Sequence, residues 1–389
     1  MELNVLYVTG CLHTEASGTF QSLNQTVDHM HKAGHHAVVA GTRAYSEKRS
    51  LPHTAIEVHG FKRIGPKTLH YAPAFKKWLT ARDQRIDLVS LQSVWLYLHK
   101  WAADWCESTG TSLMVTPHGN FNPFALGLSS FKKRIATRTF MRGFFDRVDC
   151  YQALTEKEYE NIRSFGIRKP ICVIGNGIDI PVPGSLPHAA DYIPDRLLSR
   201  RTCLYMGRLA PIKALDRLLK AWSVSMRGDD WQLVIAGEGD SDYEKQLKSM
   251  SDSLGCVNVH FVGFVTGVRK SLWLEHCESF ILPSHSEAFP MSVLEAMSHA
   301  KPVIATAACG LTHMAKAGVL TETENSVEAL ADALHRMALR SQHENEEMGR
   351  QAYDYVVSNY SWGPIVQRLE SVYRWLVQGG DTPSDVRLY

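Results

Sequence analysis

The segment HSEAFPMSVLEAMSHAKPVIAT, residues 285–306, carries two glutamates, Glu287 and Glu295, separated by seven residues, and it ends in an apolar run. The run SFILPS (279–284) before it predicts a strand. The apolar spacing after it predicts a helix, because Pro290 is tolerated in a first helical turn. Glu287 is therefore predicted in a loop at the carboxyl end of a strand, and Glu295 one to two turns inside the helix. Strand, loop, helix and strand in succession are typical of a parallel sheet covered by helices.

The same alternation occurs in both halves of the chain. Strand-like apolar runs lie at 4–10, 36–41, 87–93, 112–119, 201–207, 231–237, 257–263, 279–284 and 302–307. The alternation is interrupted at 181–200, where four prolines and a glycine are typical of a linker. Because ligands bind beyond the carboxyl ends of such strands, the predicted site is a cleft between two facing sets of loops.

The predicted fold class is therefore α/β, with two Rossmann-like parallel-sheet domains facing a central cleft. The N-terminal domain is predicted over 1–182, a linker over 183–200 and the C-terminal domain over 201–360. The last helix, in 361–389, is predicted to cross back to the N-terminal domain.

Composition narrows the class of protein. The 389 residues are 44% hydrophobic and 21% charged, enough for two globular cores. A net charge of +2 gives no reason to expect a nucleic-acid partner. The eight cysteines include no Cys-x-x-Cys pair, which predicts reduced and mostly buried thiols in the cytoplasm. Neither a signal peptide nor a bilayer-spanning run is expected, and no ligand spacing favours a metal site.

A second motif, GRLAPIKALDRLLKAW, begins where the strand 201–207 ends. It places Arg208 and Lys213 at the start of a predicted helix, where backbone N–H groups and the helix dipole also favour an anion. These cations favour a phosphate site, although two solvated basic residues would give the same pattern. Glu295 has two interpretations as well. It is either a ligand for vicinal hydroxyls, as in ribose binding, or a helix former on a solvated face.

Both motifs, together with AGEGD (236–240) and FVGFV (261–265), resemble the C-terminal half of family-4 glycosyltransferases of the GT-B fold. The family signature is E-x7-E followed by Ala-Met and a Pro-Val-Ile strand. PHGNFNP (117–123) and GNGID (175–179) resemble segments of the N-terminal half, which would lie on the acceptor side. YSWGPIVQRLESVYRWL (360–376) resembles the terminal helix. The resemblance covers nearly the whole chain.

The resemblance implies that a sugar moves, with retention, from a nucleotide-diphosphate sugar to a hydroxyl acceptor, without a metal or another cofactor. The implied acceptor is a saccharide or lipid-linked saccharide. The implied setting is polysaccharide, lipopolysaccharide or glycolipid biosynthesis in the cytoplasm or at the inner face of the membrane. Alternatives are another GT-B enzyme, such as an epimerase or phosphorylase, and a non-catalytic nucleotide-sugar-binding protein.

The resemblance implies a role for each residue that matches a family motif. Arg208 and Lys213 would hold the diphosphate, Glu295 the ribose and Glu287 the donor sugar, and His118 would approach that sugar from the N-terminal domain. His118, Arg208, Lys213 and Glu287 form the implied catalytic set. The other implied donor contacts are Gly18, Asn120, Gly207, Gly237, Phe264, Val265, Ala288, Phe289, Pro290 and Met291.

The chain departs from the family pattern at three places. Ala214 follows the phosphate lysine where glycine is usual, and Ser17-Gly18 stand where paired glycines are common. Pro290 removes one backbone donor from the loop after Glu287.

The segment FKKRIATRTFMRGFFDRV (131–148) carries six basic residues and four phenylalanines. One interpretation is a basic amphipathic surface that contacts anionic lipid or a lipid-diphosphate acceptor. The other is a helix with its phenylalanines in the core and its basic side chains in water.

Overall fold

The computed structural model describes residues 2–12, 18–43, 56–127, 137, 139–182, 184, 186–226 and 230–389. The chain divides into two compact units. The first unit is Met1–Gly177 with Trp362–Tyr389, and the second unit is Ile178–Ser361.

The first unit is built on one sheet. Its strands are β1 (Asn4–Thr9), β2 (His36–Arg43), β3 (Glu57–Lys62), β4 (Leu88–Gln92), β5 (Ser112–Thr116), β6 (Cys150–Ala153), β7 (Ile171–Val173) and β14 (Val386–Arg387). Their order is β14-β7-β6-β5-β4-β1-β2-β3, and every pair is parallel except β14 with β7. Its helices are α1 (Gly18–Lys32), α2 (Pro73–Thr80), α3 (Tyr97–Thr109), α4 (Pro123–Gly127), α5 (Phe144–Arg147), α6 (Glu156–Ser164) and α15 (Trp362–Gln378). A 3₁₀ turn lies at Lys67–Leu69.

The second unit repeats the plan. Its strands are β8 (Arg201–Met206), β9 (Trp231–Ala236), β10 (Val259–Gly263), β11 (Ser279–Leu282), β12 (Val303–Thr306) and β13 (Thr321–Thr323). They are all parallel, in the order β10-β9-β8-β11-β12-β13. Its helices are α7 (Asp195–Leu198), α8 (Leu215–Ser225), α9 (Ser241–Ser253), α10 (Gly267–His276), α11 (Met291–Ser298), α12 (Thr312–Lys316), α13 (Val327–Leu339) and α14 (Gln342–Tyr360). Short 3₁₀ turns lie at Ala189–Asp191, Pro211–Lys213 and Ala307–Cys309.

Both sheets form from apolar strands that are buried in the two units. β1 and β9 are buried along nearly their whole length, as expected where helices cover both faces of a parallel sheet. The prediction of two parallel-sheet α/β units is confirmed. As predicted, the eight cysteines are unpaired, and all but Cys11 and Cys256 are buried.

The predicted linker needs a correction. The described part of 183–200 packs in the second unit, because Ile193 and Leu197 are buried in its core. The high proline content of this stretch therefore accompanies short, packed elements rather than a flexible linker. The last long helix, α15, is part of the first unit.

Two observations bear on membranes. No helix in the described part of the chain is long and apolar enough to cross a bilayer. The basic segment 131–148 lies partly outside the described residues, at 131–136 and 138, and its end forms α5 with Phe144 buried. Membrane contact through this segment stays a prediction.

Candidate active site

Glycines join the carboxyl ends of β8, β9 and β10. The Gly207 N–H donates to Ala236 O at 3.0 Å, and the Gly237 N–H donates to Gly263 O at 2.8 Å. A Cβ at Gly237 would lie 1.9 Å from the carbonyl oxygen of Gly207, so no larger residue fits there. Gly237 therefore has a packing reason of its own, and the donor contact implied for it stays a prediction.

An ion pair joins the loops after the neighbouring strands β8 and β11. Lys213 ends the 3₁₀ turn before α8, and its Nζ lies 2.5 Å from Oε1 of Glu287. The two side chains are 17% and 10% exposed. Ser284 Oγ donates to the same oxygen at 2.5 Å. Within the described residues both of these contacts are made by Glu287 Oε1.

The backbone holds these two loops together. The His285 N–H donates to Ile212 O at 2.8 Å, which ties the loop after β11 to the turn that carries Lys213. Ala214, next to Lys213, is buried in the left-handed conformation with φ of +52°. Alanine adopts this conformation at a cost of roughly 1–2 kcal/mol, a strain that a glycine at this position would avoid.

A second ion pair joins α10 and α11, the helices that follow β10 and β11. Glu295 is in the second turn of α11, as predicted, and its Oε1 lies 2.6 Å from Lys270 Nζ on α10. The side chains are 20% and 33% exposed, respectively. Glu295 is therefore a paired, mostly covered carboxylate rather than a residue on a solvated face. Sequence reasoning missed Lys270, whose only signal was its position after FVGFV.

The other residues predicted to contact the donor differ in how far their side chains are exposed to solvent. Arg208 is exposed, and its carbonyl oxygen accepts a hydrogen bond from the buried Tyr205 hydroxyl at 3.0 Å. Phe264 is 55% exposed and presents a ring to solvent, but the side chain of Val265 is buried in the core. Only the backbone of Val265 could therefore contact a ligand. Near Glu287, Pro290 is buried, and Ala288, Phe289 and Met291 are half-buried.

In the first unit, His118 lies between β5 and α4 with φ of +51°. Its Nε2 lies 2.8 Å from Gln92 Oε1. A carbonyl oxygen only accepts, so Nε2 carries the proton and Nδ1 has a free lone pair. Burial lowers the pKa of His118 to about 4, so the ring is neutral at neutral pH.

The residues after His118 are held by side chains. Asn120 Oδ1 accepts hydrogen bonds from Ser93 Oγ at 3.0 Å and from the Val94 N–H at 3.1 Å. Asn120 thus supports the loop after β4, and the donor contact implied for it stays a prediction. Gly18 is the first residue of α1, and residues 13–17 before it lie outside the described residues.

Metal ligands are not grouped in the described ranges. Nowhere in them do three or more His, Cys, Asp or Glu side chains form a cluster that could hold an ion.

Two family models match the chain. "Glycosyl transferases group 1" matches residues 195–355, and "Glycosyl transferase 4-like domain" matches residues 17–177. The chain is 31% identical over 216 residues to the D-rhamnosyltransferase WbpZ of Pseudomonas aeruginosa, covering 54% of this chain and 51% of that protein. It is 27% identical to a GDP-mannose-dependent alpha-mannosyltransferase of Mycolicibacterium smegmatis, over 87% of this chain and 90% of that protein. It spans about half or less of the length of several other curated relatives it matches.

Solved structures share the fold. The Anabaena protein HepE in complex with UDP and glucose superposes with a TM-score of 0.76 at 18% identity, covering 95% of this chain and 99% of that chain. WaaG, a glycosyltransferase involved in lipopolysaccharide biosynthesis, superposes with a TM-score of 0.69, also at 18% identity. At such identities the likeness concerns the fold, and the fold class GT-B is confirmed.

Proposed function

We propose that this chain, a glycosyltransferase of the GT-B type by fold and by family match, moves a sugar from a nucleotide-diphosphate sugar to a hydroxyl acceptor. The observation that carries the proposal is the set of two ion pairs, Lys213–Glu287 and Lys270–Glu295, on loops and helices that follow the strands of one parallel sheet. Cations and carboxylates at this edge suit a ligand that carries both phosphates and hydroxyls.

Each residue has a proposed task. Arg208 and Lys213 bind the diphosphate and stabilise the charge that develops on it as the sugar leaves. Glu295 accepts hydrogen bonds from the ribose hydroxyls, and Glu287 uses Oε2 for hydroxyls of the sugar. His118, in the first unit, acts on that sugar as a neutral imidazole.

Retention and metal independence belong to the proposal. Two cations and the start of α8 supply the leaving-group stabilisation that a divalent ion supplies in other transferases. Glu287 is already paired with Lys213 at 2.5 Å, so we assign it to ligand contact rather than to nucleophilic attack. The leaving phosphate would take the proton of the acceptor hydroxyl. NMR of the product tests retention, because the anomeric configuration of the donor should persist.

The acceptor and the cellular setting are broader proposals. The relatives named above include rhamnosyl and mannosyl transferases, and one structural neighbour acts in lipopolysaccharide biosynthesis. A saccharide or lipid-linked saccharide acceptor, used in the cytoplasm or at the inner face of the membrane, agrees with that range. One relative depends on GDP-mannose and one neighbour was solved with UDP, so both bases belong in the donor screen.

A donor screen tests the proposal. The purified protein is incubated with UDP-, GDP-, ADP- and CMP-sugars, and thermal stabilisation and nucleotide release in the presence of saccharide acceptors are both measured. One donor class should stabilise the protein and be consumed. Stabilisation without sugar transfer would favour a non-catalytic nucleotide-sugar-binding protein, and neither effect would contradict the proposal.

A further inference from the structure

Glu158 is a buried carboxylate that the proposed roles do not use. It lies in the first turn of α6, and its side chain reaches outside its own helix. Oε1 accepts a hydrogen bond from the Gly119 N–H at 2.6 Å, and Oε2 accepts one from the Leu154 N–H at 2.8 Å. A glutamate at this position usually binds the N-cap N–H of its own helix. Glu158 instead connects α6 to the loop that carries His118.

The connected loop and the neighbouring loop after β4 both contain residues in the left-handed conformation. Positive φ angles occur at Ser93 (+83°) and Trp95 (+68°) after β4, and at His118 (+51°) and Gly119 (+77°) after β5. Such conformations of non-glycine residues persist where the surroundings hold them, and they cluster at functional sites. The Glu158 contact to Gly119 is therefore adjacent, in the chain, to His118, a non-glycine residue in the left-handed conformation.

Burying the ionised carboxylate of Glu158 costs free energy, which is unusual for a contact with a purely structural role. Two N–H donors on two oxygens suit the ionised form, yet the side chain is fully buried and forms no ion pair within the described ranges. Burial raises the pKa of Glu158 to about 7, with the two backbone donors acting in the opposite direction. A neutral side chain would avoid the cost of burying a charge but could not accept hydrogen bonds from both N–H groups equally well, so the two contacts rather than packing require the carboxylate.

We infer that Glu158 is a positioning residue that fixes the backbone of Gly119, and through it the orientation of His118, for the sugar-transfer reaction. The inference rests on the proposed function, and it adds a residue to which neither the sequence motif nor the family match assigns a role. Glu158 contacts no reacting atom in this account and acts only through the loop.

The test combines hydrogen exchange with kinetics on the full chain. Glu158→Gln keeps the shape but places an amide N–H₂ against one of the two donors. Asp87→Asn is the matched control, because Asp87 is also buried and also accepts a backbone N–H, that of Asn4 at 2.8 Å. The control contact lies at the amino ends of β1 and β4, the opposite edge of the same sheet.

Glu158→Gln should speed exchange of the Gly119 amide about tenfold, because a neutral amide oxygen is a weaker acceptor than a carboxylate and its N–H₂ group accepts no hydrogen bond at all. It should lower kcat roughly 10- to 100-fold by misplacing His118, with the KM for donor changed less than threefold. Asp87→Asn should change neither quantity. In a His118→Ala background the Glu158 substitution should have no further effect on kcat, since the residue acts through His118.

Equal exchange in wild type and variant would overturn the inference, and so would kcat effects that add in the double variant. If Glu158→Gln does not fold, Glu158→Asp keeps the charge but is too short to reach both donors, and the same expectations apply. If the wild type transfers no sugar from any donor, the proposed function fails together with the catalytic use of Glu158. The exchange comparison then still decides whether Glu158 holds the loop.

Discussion

The two units place polar groups at the carboxyl ends of parallel strands in different ways. In the second unit, side chains meet side chains, as oppositely charged and partly covered pairs: Lys213 with Glu287, and Lys270 with Glu295. In the first unit, the buried carboxylate of Glu158 accepts a hydrogen bond from a backbone N–H, and the ring of His118 is neutral. The difference indicates that the second unit is suited to binding a charged ligand and the first to holding one loop in a fixed shape.

The largest effect is expected for the ion pairs of the second unit. Lys213→Met should lower kcat roughly 100- to 1,000-fold, about 3–4 kcal/mol of barrier, because it removes a cation from the departing diphosphate and leaves Glu287 without its partner. Lys220→Met is the control, since Lys220 is exposed on α8. Steady-state kinetics on the donor found in the screen would measure both. A loss below tenfold for Lys213→Met would place the diphosphate elsewhere.

Glu158 in the first unit should make the free energy of unfolding depend on pH, with an effect of nearly the same size. The pKa of Glu158 is raised from 4.5 to about 7 by burial, so the folded state holds this proton more tightly than the unfolded chain does. Its ionisation therefore costs stability as the pH rises through that interval. The difference in unfolding free energy between wild type and Glu158→Gln should fall by about 2.5 kcal/mol between pH 5 and pH 8. Chemical denaturation at several pH values measures it, and a flat difference would show that Glu158 is not buried as described.

A smaller effect is expected at the second ion pair. Glu295→Ala should raise the KM for donor roughly 10- to 150-fold, since a hydrogen bond to a charged group contributes about 1.5–3 kcal/mol. The 2′-deoxy form of the nucleoside diphosphate provides the control. Wild type should bind it more weakly than the ribose form, and Glu295→Ala should bind the two alike. Continued discrimination by the variant would assign the ribose to another residue.

The smallest effect concerns backbone strain beside Lys213. Ala214→Gly removes a Cβ from a left-handed residue but makes the unfolded chain more flexible. Stability should change by less than about 1 kcal/mol, and kcat by less than twofold. Thermal unfolding and kinetics would measure these quantities. A tenfold change in kcat would mean that the strain itself adjusts Lys213.

The sequence predicted the second unit better than the first. The motif around Glu287 and Glu295 is local in sequence, so spacing was enough to place one residue in a loop and the other in a helix. Lys270 was missed because its contact with Glu295 depends on how two helices pack. Glu158 was missed for a stronger reason. It looks like an ordinary first-turn glutamate, and its contact with Gly119, 39 positions away, depends on the adjacency of β5 and β6.

The linker prediction was wrong for a related reason. Proline content indicates a break in regular structure but does not show whether nearby apolar residues are buried, and Ile193 and Leu197 pack in the second core.

Calorimetric binding of the nucleoside diphosphate released in the donor screen tests the division between the units most directly. Wild type, Lys213→Met and Glu158→Gln are titrated under the same conditions. We expect Lys213→Met to weaken the Kd at least tenfold and Glu158→Gln to leave it within twofold of wild type. Equal Kd values for wild type and Lys213→Met, or a large loss in Glu158→Gln, would contradict the account.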